Sequence, residues 1–166
     1  EMRAIAITEP GGPEVLQPCY VPVPVPSHGQ IIIRLAYAGV NRPDALQRAG
    51  SYAPPVGASP LPGLECSGTV VALGSGCTRY KEGDLVCALL PGGGYAEYAV
   101  TKPNQCIRLP QSASLADGAI IEPLAVALHG VNMSGMKPGD KVLILGAGPI
   151  GLAVAFWARR KGASDV

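Results

Sequence analysis

The chain has 166 residues, of which 48% are apolar and 15% charged, and its net charge is +1. That length is a prior for one domain or one and a part, and the apolar fraction excludes a disordered chain. The near-zero charge gives no reason to expect nucleic acid or an anionic membrane as a partner.

No apolar run approaches the ~20 residues that span a bilayer. The opening Glu1-Met2-Arg3 carries no apolar signal region, so a cytoplasmic protein is expected. The 22 glycines and 17 prolines imply many turns and short strands. Five cysteines (Cys19, Cys66, Cys77, Cys87, Cys106) are odd in number and widely spaced, with no C-x-x-C pair. They indicate neither a disulfide framework nor a zinc knuckle, and read as small core thiols.

In chain order, Arg3 to Thr8 reads as a first strand and the Pro-Gly-Gly-Pro run at 10–13 as a turn. Val21 to Pro26, VPVPVP, is an extended edge or connector, because proline cannot donate to a ladder. Ser27-His28-Gly29 turns the chain into a strand from Ile31 to Val40, with Ile33, Leu35 and Tyr37 on one side and Arg34 on the other. Pro43 starts a short helix over 43–49, which Gly50 ends. The proline-rich loop 52–62 is too broken for regular structure. Strands follow over 63–73, with Gly68 as its expected bulge, and over 85–90, 95–100 and 105–109. Six or so short strands separated by turns argue for a small all-β barrel or sandwich.

The pattern changes at Ser112. Ser114 with Asp117 three residues on marks a helix start. Pro123 restarts a helix in which Leu124, Ala127, Leu128 and Val131 share a face, with His129 packed among them. These signals divide the chain into a β part, 1–122, and an α/β part, 123–166.

The α/β part turns on Lys141 to Gly162. Val142 to Leu145 is a continuous apolar run, as in a strand buried on both faces of a parallel sheet. Gly146, Gly148 and Gly151 follow at G-x-G-x-x-G spacing, after a strand pattern and at the start of a helix pattern. Such glycines allow a tight turn, close approach of backbone to a pyrophosphate, and close helix–strand packing. Pro149 suits the first helical turn, and Ile150, Ala153, Val154 and Trp157 make one apolar face. Gly146, Gly148, Pro149, Ile150 and Gly151 are therefore the candidate cofactor-binding residues, for NADPH or NADH. The acidic residue that reads the ribose is expected about 20 residues after the glycines, beyond Val166, so no preference between the two follows.

A β-rich first part, a helix and this glycine fingerprint together resemble the medium-chain dehydrogenase/reductase superfamily. AGVNRPDALQRAGSYAPPVGASPLPGLECSG and YKEGDLVCALLPGGGYAEYAV, within residues 1–115, are similar to the zinc-independent, p53-inducible type of quinone oxidoreductase. IIEPLAVALHGV and KVLILGAGPIG, within 118–166, are similar to the sorbitol and threonine dehydrogenases. The resemblance implies a mixed fold: a GroES-like β-barrel catalytic domain, then the start of a truncated α/β Rossmann domain. It implies NAD(P)H-dependent hydride transfer to a small-molecule quinone or enone without metal, and a homo-oligomer is in keeping with it. It further implies that Asn41, Asp44 and Tyr52 are the polar catalytic positions around the nicotinamide, although helix capping would also suit Asn41 and Asp44.

Zinc-using relatives carry a cysteine at the place of Asn41 and a histidine at that of Leu64, followed by the equivalent of Glu65; Glu122 matches a third ligand position or its neighbour. Leu64 cannot ligate and Asn41 is a poor zinc ligand, so no zinc is expected. A zinc- and NAD-dependent polyol or alcohol dehydrogenase is the alternative, and an inactive truncated or chimeric fragment another. On this reading the chain alone is a weak catalyst.

Overall fold

In the computed structural model, which describes all residues from Glu1 to Val166, the chain forms two compact units, Glu1–Ala119 and Ile120–Val166. The first holds seven strands: β1 (Met2–Ile7), β2 (Leu16–Val21), β3 (Ile31–Ala38), β4 (Glu65–Leu73), β5 (Leu85–Leu89), β6 (Tyr98–Thr101) and β7 (Cys106–Arg108). Helix α1 (Arg42–Arg48) lies between β3 and β4, and the short α2 (Leu115–Gly118) closes the unit. The second unit holds α3 (Ile121–Met133) and α4 (Pro149–Arg160). No helix is long and apolar enough to cross a membrane.

The strands do not close into the expected barrel. They make two open sheets, β1-β2 and β6-β3-β4-β5-β7, with every pairing antiparallel. The expected strand over 95–100 is divided, and this is what joins the sheets. Tyr98–Thr101 stays in the large sheet as β6, while the residues before it reach across. The Tyr95 carbonyl accepts from Ile5 N–H at 2.8 Å, Glu97 N–H donates to Arg3 at 3.1 Å, and the Glu97 carbonyl accepts from Leu35 N–H at 2.9 Å. β2 is not anticipated by the sequence pattern, because Pro18 lies within it. Its only partner is β1, so it is an edge strand, where a missing N–H is tolerated.

Gly68 is not the bulge. The extra residue is Ala36 on the facing strand, since Leu35 pairs with Gly68 and Tyr37 with Ser67. Gly68 is required for another reason: a Cβ there would collide with the Arg34 carbonyl. The bulge also resets the alternation of β3. Ile33 is fully buried and Leu35 half-buried, but Tyr37 is 51% exposed instead of sharing their side. The core of this unit gathers Ile31, Ile33, Val70, Val86 and Leu90 with the thiols of Cys66 and Cys106. All five cysteines are free. Burial pushes the Cys66 and Cys106 thiols up to about 12.

In the second unit α3 packs on α4, and the Trp157 indole N–H donates to the Leu124 carbonyl at 2.9 Å. The buried side chains are small: Ala127, Val131, Ala153 and Ala158. Four expectations are corrected here. The helix begins at Ile121, with Pro123 inside its first turn, where its missing N–H costs nothing. His129 is exposed rather than packed. The run Val142 to Leu145 is not a strand buried on both faces; its neighbourhood has one parallel bridge, Lys141 to Asp165, and one bond from Val142 N–H to Asp165. With no neighbour on the other edge, Leu143 is 86% and Leu145 91% exposed. Ile150, 44% exposed, likewise drops out of the α4 face, which Ala153 and Ala158 carry instead.

Candidate functional site

The first cluster is built where β3 ends and α1 begins. Asn41 is extended (φ −123°, ψ 154°) and precedes the helix; Pro43 fits the first turn. Asp44, one turn in, reaches back so that its Oδ2 accepts the Asn41 N–H at 2.8 Å. This is the reciprocal arm of a capping box. The Asp44 N–H is taken by the Asn41 main-chain carbonyl at 3.1 Å.

Asp44 is 7% exposed, and a buried carboxylate must find donors. It accepts the Gly63 N–H on Oδ1 at 3.1 Å and the Tyr95 hydroxyl on Oδ2 at 2.8 Å. The Tyr95 hydroxyl is in turn held above the ordinary tyrosine range, first by burial, then by its bond to Asp44 and by the charges of Asp44 and Glu65.

Glu65, the first residue of β4, is a second buried carboxylate, 4% exposed. Its Oε1 accepts the Asn41 side-chain Nδ2–H at 2.8 Å. Gly39 makes this seat possible, because a Cβ there would overlap the Glu65 carboxylate. Asn41 thus sits between two buried carboxylates, giving its main-chain N–H to one and its side-chain N–H to the other.

Of the three expected catalytic residues, the structure joins Asn41 and Asp44 directly. Tyr52 lies apart on the loop after α1, 39% exposed, with no hydrogen bond to either. Glu65 and Tyr95, not among those three, complete the cluster. A signal for Glu65 is present in the sequence: it is the one acid in the apolar run GLECSGTVVAL. Tyr95 follows three glycines, which allow Gly94 to pass against Gly63 with no side chain between. A groove of about 490 Å³ opens beside it, lined by Tyr20, Leu35, Tyr37 and Tyr95, with the Arg3–Glu97 ion pair among its walls.

The second candidate site is the glycine loop of the other unit. Gly146 has φ +120°, which favours glycine. Gly148 is the N-cap of α4, with φ −76° and ψ 179°, and Pro149 opens the helix. The first intrahelical bond here runs from Leu152 N–H to Gly148 at 3.0 Å, so the N–H groups of Ile150 and Gly151 precede the ladder. A Cβ at Gly151 would collide with the Gly146 carbonyl, which explains the third glycine by packing. A Cβ at Gly148 would meet nothing within 4 Å. The protein's own packing therefore does not require glycine there, and a ligand phosphate that must come close to the backbone would.

No three side chains of His, Cys, Asp or Glu come together in a way that would hold a metal ion.

Residues 27–111 match the family model of the alcohol dehydrogenase GroES-like domain. The chain is 37% identical over 163 residues to the quinone oxidoreductase of Lama guanicoe, covering 95% of this chain and 49% of that one. It is 37% identical over 133 residues to the D-xylulose reductase A of Aspergillus niger, covering 63% of this chain and 37% of that one. The solved quinone oxidoreductase of Pseudomonas syringae pv. Tomato superposes with a TM-score of 0.88 at 30% identity, covering 99% of this chain and 52% of that one. The chain spans about half the length of the quinone oxidoreductases it matches, 49% in the Lama guanicoe case.

Proposed function

The chain belongs to the alcohol dehydrogenase GroES-like family of medium-chain dehydrogenase/reductases, and from that premise we propose that it serves NAD(P)H-dependent reduction of a quinone or enone without a metal. The observation that carries the coenzyme part is the open space at Gly148 on the N-terminus of α4. The N–H groups of Ile150 and Gly151 would hold the pyrophosphate there, helped by the positive end of the helix. When bound, the coenzyme supplies the hydride; the protein's share is position and hydrogen bonds.

Asn41 is the side chain assigned to a polar group of the ligand. Asp44 would hold it in place by bonding its main-chain N–H. Tyr52, partly exposed, offers a ring face to a planar acceptor. The metal-free part is supported by the donor set: Asn41 is already bonded to Glu65, and Leu64 has no ligating atom.

The zinc-dependent polyol dehydrogenase is the second reading, favoured by the similarity to D-xylulose reductase. One experiment separates them. The purified chain is titrated with NADPH and with NADH, and oxidation of each by 9,10-phenanthrenequinone is followed with and without a chelator. Binding of a coenzyme and chelator-insensitive turnover are expected. Zinc at about one per chain, with activity lost to the chelator, would establish the second reading instead. Failure to bind either coenzyme would sink both.

A further inference from the structure

We propose that Glu65 is a positioning residue: it fixes the Asn41 amide with its nitrogen toward Glu65 and its oxygen turned away, so that Asn41 meets a ligand as a hydrogen-bond acceptor. This rests on Asn41 being ligand-facing, as above. An asparagine amide is otherwise ambiguous, because its two ends differ only in the group they offer. Here the ambiguity is removed by chemistry. A carboxylate oxygen accepts, and the Asn41 Nδ2–H donates to Glu65 Oε1 at 2.8 Å, so the end facing Glu65 is the N–H end.

The seat is built from both sides. Glu65 is 4% exposed at the start of β4, and Gly39 leaves the space its carboxylate occupies. The Asn41 side chain faces the Asp44 N–H in the manner of a capping box but makes no cap hydrogen bond to it. That N–H goes instead to the Asn41 main-chain carbonyl at 3.1 Å. One lone pair of Oδ1 faces the Asp44 N–H across the capping box, and the other keeps its capacity for a ligand group that is an N–H or O–H donor. Asp44 fixes the main chain of Asn41, whereas Glu65 fixes which end of the side chain is presented.

The test reads the amide itself and then the binding of NADPH and NADH. In the unsubstituted protein, one Asn41 side-chain N–H should exchange with solvent about tenfold more slowly than a free amide, as a hydrogen bond of typical strength requires. Its resonance should move in Glu65→Gln, a variant of the same shape that offers either a donor or an acceptor. Coenzyme affinity in that variant should fall about tenfold, the loss of one oriented hydrogen bond. The reversed pair, Asn41→Asp combined with Glu65→Gln, restores an acceptor turned outward. The amide introduced by Glu65→Gln can donate to one oxygen of the new aspartate and leave the other for the ligand. This double variant should recover affinity to within about threefold of the unsubstituted protein, whereas Asn41→Asp alone, which sets two carboxylates together, should not.

A merely structural Glu65 would give no such rescue, and absence of rescue overturns the proposal. So does equal, fast exchange of both Asn41 amide hydrogens, a measurement that needs no variant to fold. If neither coenzyme binds the unsubstituted chain, the coenzyme reading falls, while the exchange rates still decide what Glu65 does.

Discussion

The Tyr95 hydroxyl donates to Asp44 Oδ2 at 2.8 Å, tying together residues 51 apart in the sequence. The same carboxylate holds the first turn of α1 through Asn41 and the start of the β4 approach through Gly63. Removing one donor leaves a buried acceptor underserved. Tyr95→Phe should therefore cost about 1–3 kcal/mol of stability. Urea unfolding of the two proteins measures this, and a loss near zero would show that the bond contributes nothing.

Gly148→Val should leave stability within about 1 kcal/mol, since a side chain there meets open space. Coenzyme binding should nevertheless be lost, because the side chain occupies the place of a phosphate. Gly151→Ala should do the opposite and destabilise Ile120–Val166, because its Cβ collides with the Gly146 carbonyl. Thermal melts paired with coenzyme titration distinguish the two. Unchanged affinity in Gly148→Val would remove the loop from the site.

Gly68→Ala should destabilise the first unit by about 2–4 kcal/mol, the range for forcing atoms into a packed interior. The new methyl would strike the Arg34 carbonyl, and β3 and β4 would have to separate at their bulge. Far-UV circular dichroism against urea reads the change.

Alkaline titration should erode stability through Cys66 as well as Cys106, both buried thiols held at about 12. Burial raises the Cys66 thiol from its ordinary 9.0 to about 12. Its folded-state pKa lies above the unfolded one, so the folded protein holds the proton longer. The stabilisation is complete below pH 9.0 and is lost as pH rises toward about 12. The slope from one such group approaches about 1.4 kcal/mol per pH unit. Cys66→Ala should flatten the stability curve across that interval, and an unchanged slope would refute the assignment.

Trp157 is the one tryptophan, so its emission reports on Ile120–Val166 alone. That unit buries four small side chains, Ala127, Val131, Ala153 and Ala158, and exposes Leu143 and Leu145. The first unit encloses Ile31, Ile33, Val70 and Val86 at 0% exposure. Apolar area removed from water sets the difference. The tryptophan transition should come at lower urea than the far-UV transition, and coincident curves would contradict the argument.

Local rules made much of this protein readable in its sequence. Asn41, Pro43 and Asp44 at their spacing favour a helix start, as do Ser114 and Asp117, whose side chains bond as expected. Gly146, Gly148 and Gly151 make a turn into a helix for the same reason, since backbone freedom and hydrogen-bond reach act over a few residues. What the tertiary structure decided lies at long range. Whether seven strands close into a barrel depends on where the chain at 95–97 crosses, and it crosses to β1, leaving two open sheets. Burial of Val142 to Leu145 depends on neighbours that a strand pattern only requests; one bridge to Asp165 answers it, and the leucines stay in solvent. The site follows the same division. That Asn41 precedes a helix is local, but the partner of its side-chain N–H is Glu65, 24 residues away, brought there because β4 returns antiparallel to β3.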